Sequence, residues 1–185
     1  MTVLALIEGR TGDEEVDQFL ADVPPINLFK AMAHAPAVAR GVAELGGRIL
    51  YQTSFDPGLR EIAILRAAAR AGSDYELAHH RRIGRDVGLT DTEIGEAISG
   101  SLEVLSEEGR LVCAWVDHIV DHGRPTPEMT AEAVDRFGVR QAVELQITIA
   151  YYLMVASFLE TFQVPLEPAD FADGVDVSQE PEALD

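Results

Sequence analysis

The chain has 185 residues, 32 Asp and Glu against 14 Lys and Arg, and one cysteine, for a formal net charge of −18. That length suits one domain. The charge excludes binding to nucleic acid or to an anionic membrane surface, which both need a positive face. Cys113, the single cysteine, excludes an internal disulfide and any Cys-x-x-Cys redox or zinc site.

About half of the residues are apolar and few are aromatic, so a core of Leu, Ile, Val and Ala is expected. A reducing, cytoplasmic setting is the default for such a chain. The apolar start lacks the basic region of a signal peptide.

Residues 1–26 read as an arm closed by Pro24-Pro25, a pair that breaks helices and favours extended backbone. Helical periodicity begins at Asn27, a candidate cap for 27–35. Pro36 opens the next helix, and Asp56-Pro57 opens another that stops at Gly72. Ser73 caps the following helix, and Glu76 three residues later fits a capping box; Thr90 and Glu93 repeat the pattern. A helix over 106–123 follows. Thr126-Pro127 starts a short one, and Gly138 precedes a long apolar helix ending near Phe162.

The apolar stretch 145–159 is shorter than the roughly 20 residues a membrane span needs, and reads as a buried helix. No run alternates with period two, so no sheet is expected. The reading is an all-α bundle of about seven or eight helices over 27–163. Residues 164–185 carry seven acids and no Lys or Arg, and read as an extended or disordered tail.

The strongest local signal runs from Arg60 to Gly88. Glu76 and His80 are four apart and face each other across one helical turn. A carboxylate beside an imidazole raises its pKa and orients its ring, which makes an acid–base unit near neutral pH. Of the adjacent His79 and His80, about 100° apart around a helix, one shares that face, and it is taken as His80. Ser73 lies one turn before Glu76. Glu61 stands among Ile62, Ile64 and Leu65, where a carboxylate needs a partner or a raised pKa.

Between residues 60 and 85, Arg60, Arg66, Arg70, Arg81, Arg82 and Arg85 outnumber Glu61, Asp74 and Glu76. An anionic small molecule would be drawn to this positive stretch of an acidic chain. His118 and His122 have a metal-ligand spacing. However, His122 precedes Gly123 at a helix end, where His complements the helix dipole, and no third ligand follows. No metal is expected there. Trp115, Tyr151 and Tyr152 read as core aromatics, with one of them, or Phe158, lining a pocket near His80.

This segment resembles the core of the carboxymuconolactone decarboxylase-like family, which includes the alkylhydroperoxidase D proteins. Redox members of that family carry a Glu, a Cys-x-x-Cys starting twelve residues later, and a His four residues after the second Cys. Here those positions hold Glu61, Ser73, Glu76 and His80, so the spacing is kept and both cysteines are replaced. The form S-x-Y-E-x-x-x-H, followed by GLTDTEIGEAI, is similar to the branch that lacks the redox pair. The likeness extends to NLFKAMAHAP upstream and VELQITIAYYLMVASFLETFQVPLE downstream, roughly residues 25–167.

The resemblance implies an alkylhydroperoxidase D-like helical bundle that assembles with copies of itself, as a trimer or hexamer, with a dimer as the alternative. It implies catalytic roles for His80, Glu76, Glu61 and Ser73, and substrate contacts from Tyr75, Arg66, Arg81 and His34. The expected activity is that of a cofactor-free lyase, decarboxylase or isomerase for a small acidic lactone or related carbonyl compound. The alternative is a non-catalytic member that binds a small molecule. Peroxidase activity is not expected, because neither Ser73 nor Glu76 supplies a thiolate.

Overall fold

The computed structural model describes residues 3–168, which form eight helices and no strand. The chain divides into two compact units. One holds the N-terminal part through residue 52 together with the chain from residue 159, and the other holds residues 53–158.

The first unit contains α1 (Glu14–Asp22), α2 (Asn27–Met32) and α3 (Pro36–Tyr51). Helix α1 lies inside the segment expected to be an arm. Its start is locally encoded: the Asp13 side chain accepts from the backbone N–H groups of Glu15 and Val16, and Asp17 accepts from Thr11 at 2.7 and 2.8 Å. Val16 and Phe19 fall on one buried face, and Phe19 meets Phe29 edge-on.

Asn27 does not cap α2; Ile26 occupies that position. The reason is tertiary. Asn27 is buried, its amide donates to the Pro165 carbonyl, and its backbone N–H donates to Glu167 at 2.6 Å. The first residues of the acidic C-terminal segment are therefore extended and tied down. The rest of the expected tail, from residue 169, lies outside the described residues.

The second unit is built around α4 (Pro57–Ala71), which packs against α5 (Asp74–Asp86), α6 (Asp91–Ser99) and α7 (Glu107–His122). Asp56 caps α4 through the Leu59 N–H, with Pro57 in the first turn. Gly72 ends it at φ 71°, a left-handed conformation that costs any other residue strain. Because α4 has neighbours on several sides, Ile62, Ala63, Ile64, Leu65, Ala67 and Ala68 are all buried. Each large aliphatic among them contributes about 1.5–3 kcal/mol of burial.

Phe55, Val112, Trp115, Val116, Leu145 and Ile149 are among the other residues of this core. Helix α6 begins with the Thr90–Glu93 capping box read from the sequence. Helix α8 (Pro127–Phe162) is broken at Gly138, whose φ 79° and ψ 161° are open only to glycine. A short helix and a long apolar one result, as the sequence suggested. By length and composition α8 passes the test for a membrane span that the shorter stretch 145–159 was expected to fail. Half of its most apolar window is buried inside the molecule, and Leu145, Thr148 and Ile149 are fully enclosed.

Candidate active site

Helices α4 and α5 carry four charged residues into the interior of the second unit. Glu61 is 0% exposed, and Arg60, Glu76 and His80 are also buried. Arg60 donates from Nε to Glu61 Oε1 at 3.1 Å. His80 donates from Nδ1 to Glu61 Oε2 at 2.7 Å. On the other side of the ring, His80 Nε2 lies 3.5 Å from Glu76 Oε2. The order is thus Arg60, Glu61, His80, Glu76. Two acidic side chains alternate with two basic ones, which is how buried polar groups offset the loss of water.

Glu61, reaching across from α4, is the tight partner that fixes the imidazole. Glu76, the i,i+4 neighbour singled out by spacing, is the looser one. Burial alone pushes the His80 pKa down. The Glu61 carboxylate and its hydrogen bond, then Glu76, more than reverse this, so His80 lies above its ordinary 6.5 despite the opposing charge of Arg60. Burial raises Glu76 above its ordinary value, against the pull of His80 and His79. Both groups are displaced toward their protonated forms, and they titrate as a coupled pair.

Neutral side chains complete the surroundings. Tyr152 of α8 meets the His80 ring edge-on, with centroids 4.8 Å apart, and Tyr151 packs against Tyr152. Burial and the two nearby carboxylates hold the Tyr152 phenol well above its usual pKa, so it stays protonated. Tyr75 is buried and lies against the His79 ring at 4.7 Å. Ser73 sits at the start of α5 but does not cap it, so the expected Ser73–Glu76 capping box is absent. Glu76 is turned inward to His80 instead. The Ser73 hydroxyl is fully buried and has no hydrogen-bond partner among the described residues.

The remaining residues named from the sequence fall elsewhere. Arg66 is committed to Asp117 through two hydrogen bonds at 2.8 and 2.9 Å, with Nη1 on the Ile98 carbonyl. Arg70 bridges Asp117 and Asp121 at 2.6 Å each. These two arginines brace α4 against α7 and are occupied. The Arg81 side chain is exposed. His34 is exposed in the first unit, its Nε2 2.8 Å from the Ala5 carbonyl oxygen. The His118 and His122 rings stand 5.1 Å apart.

Two residues of the arrangement were not placed in the site from the sequence. Arg60 was counted only as one charge among six, although two adjacent charges in the apolar run 59–65 already called for a buried pair. Tyr152 was read with the core aromatics, one of which, or Phe158, was expected near His80; nothing in its spacing marked it out from Trp115 or Tyr151.

Residues 36–105 match the family model of the Carboxymuconolactone decarboxylase family. The matched segment holds Glu61, Ser73, Glu76 and His80 and is similar to that family. No curated protein matches at a significant level. Two crystal structures share the fold. One is a protein from Ralstonia eutropha, described as an alkylhydroperoxidase AhpD core and an uncharacterized peroxidase-related protein. It has a TM-score of 0.76 and 15% identity, covering 92% of this chain and 94% of its own. The other is a protein of unknown function from Agrobacterium tumefaciens, suggested to be the antioxidant defence protein AhpD. It has a TM-score of 0.66 and 18% identity, covering 74% of this chain and 95% of its own.

Proposed function

We propose that this protein is a cofactor-free acid–base enzyme, a lyase or isomerase acting on a small acidic lactone or a related carbonyl compound. The observation that carries the reading is the buried series Arg60–Glu61–His80–Glu76, in which the His80 pKa is raised by the Glu61 carboxylate on one face and Glu76 on the other. Glu61 fixes the ring through Nδ1 and leaves Nε2 on the Glu76 side, where the contact is long enough to yield to a substrate. In a decarboxylation, the bond to the leaving carboxylate breaks and its electrons move toward the substrate carbonyl. His80 then delivers the Nε2 proton to carbon, and Glu76, with its raised pKa, returns one to the ring. Arg60 offsets the Glu61 charge throughout.

The antioxidant role suggested for the neighbours does not suit these residues. Peroxide reduction by this fold's redox members uses two thiols, and here there is one. Cys113 is buried, and burial pushes its thiol up to about 12, so it is not a nucleophile at neutral pH. In our reading the protein also assembles with copies of itself. Val139, Val143, Ile147, Ala150 and Met154 form an exposed apolar stripe on α8, and residues 145–159 carry no charge in a chain of −18.

A panel of carboxylated lactones and β-keto acids, assayed for carbon dioxide release and for ring isomerisation, tests the proposal. The expected outcome is turnover of at least one compound, lost about 100-fold in His80→Gln. Binding without turnover of any compound would favour a small-molecule-binding protein instead.

A further inference from the structure

The buried series supplies a proton through His80 Nε2 but offers a substrate no neutral hydrogen-bond donor. Two neutral hydroxyls in the same unit are different. Ser73 Oγ is fully enclosed and has no partner among the described residues. Tyr152 packs against the His80 ring, and no hydrogen bond to its hydroxyl is seen among the described residues. A buried donor left unpaired costs about 1–3 kcal/mol, and each such group in a folded protein calls for an explanation. Ser73 also fails to use the nearest acceptors and donors, the backbone groups of its own helix start. It stands on the stripe of Glu76 and His80, at positions i, i+3 and i+7 of α5.

We infer that Ser73 Oγ and Tyr152 Oη are the hydrogen-bond donors for a substrate oxygen that becomes negative during the reaction. The inference rests on the acid–base reading above and narrows its substrate class to compounds whose carbonyl oxygen can carry an enolate. Loss of the carboxylate as carbon dioxide leaves its bonding electron pair on the carbonyl, as an enolate oxygen. The two hydroxyls donate to that oxygen, and the His80 Nε2 proton is added to the adjacent carbon, which restores the carbonyl. Neutral donors suit this task, because they favour the developing charge without trapping a resting anion. The Tyr152 phenol, kept protonated beside Glu61 and Glu76, donates throughout the neutral range.

The test uses 3-nitropropionate, whose ionised nitronate mimics an enolate beside a carboxylate. Its dissociation constant is measured by calorimetry for the full-length wild type, Ser73→Ala, Tyr152→Phe and His80→Gln, with thermal melts to check folding. The inference expects the nitronate to bind the wild type and each hydroxyl deletion to weaken it by about 10-fold. It further expects Ser73→Cys, which keeps a weak donor, to recover part of that loss. No binding to the wild type, or unchanged binding in both deletions, would overturn it. The two readings fail separately. Lyase activity that disappears in His80→Gln, together with nitronate binding untouched by the hydroxyl deletions, sinks only the hydroxyl assignment. Hydroxyl-dependent binding in a protein that turns over nothing sinks only the lyase reading.

Discussion

Helix α4 carries two clusters of arginine and carboxylate, and they have different fates. Toward one end, Arg66 and Arg70 meet Asp117 and Asp121 of α7. Both arginines are partly open to water, and their guanidinium groups are held by the two aspartates of α7. Toward the other end, Arg60 and Glu61 meet His80 and Glu76 of α5, fully inside. That cluster includes an imidazole, and its geometry is uneven, with one contact at 2.7 Å and one at 3.5 Å. The first cluster is a brace. The second stores a proton and has a loose side from which to give it up. What separates them is an imidazole in a closed, low-dielectric setting, not the amount of charge.

The comparison breaks most visibly if Glu61 is not the keystone. Glu61→Gln leaves Arg60 buried without its carboxylate and removes the tight partner of His80. A loss of about 3–5 kcal/mol in urea unfolding is expected, together with loss of activity. His80→Gln should reduce turnover about 100-fold, while the fold survives because Gln can still donate to Glu61. Asp117→Asn, in the brace, should cost about 1–2 kcal/mol, since its partners are partly solvated, and should leave kcat unchanged. If Asp117→Asn lowers activity as much as His80→Gln does, the division between the clusters is wrong. Arg81→Ala, on the exposed side of α5, should change stability by less than about 0.5 kcal/mol.

Titration sharpens the same division. A folded-state pKa raised above its unfolded value supplies stability that is full below the unfolded value and fades as pH rises through the folded one. His80 lies above 6.5 and Glu76 above 4.5, so both act in that direction. Urea midpoints of the wild type should therefore fall as pH rises above about 6.5. In His80→Gln that alkaline decline should flatten. In Asp117→Asn, where no such group is touched, it should persist.

The sequence disclosed what is local. Asp56-Pro57, Thr90 with Glu93, and Gly72 set helix ends through neighbours a few residues away, and these are found as read. Asn27 and Ser73 carry the same signals and fail as caps. Asn27 is drawn to Pro165 and Glu167, far along the chain, and Ser73 is buried while Glu76 turns to His80. Pro24-Pro25 suggested an arm where helix α1 stands, although its start is locally encoded at Asp13. In the site, the spacing of Glu61, Ser73, Glu76 and His80 pointed to a segment in which the structure brings Glu61, His80 and Glu76 together. It did not say which carboxylate holds the imidazole, because the distance across two helices is not contained in a spacing along one. For the same reason Arg66 was read toward a substrate, when its partner waits on α7.

The most direct test of the account is the NMR titration of the His80 ring nitrogens in wild type and Glu61→Gln. The account predicts a cationic His80 whose apparent pKa lies above 6.5 in the wild type and drops when Glu61 loses its charge. A His80 that is neutral at pH 6.5, or that titrates identically in both proteins, would contradict it.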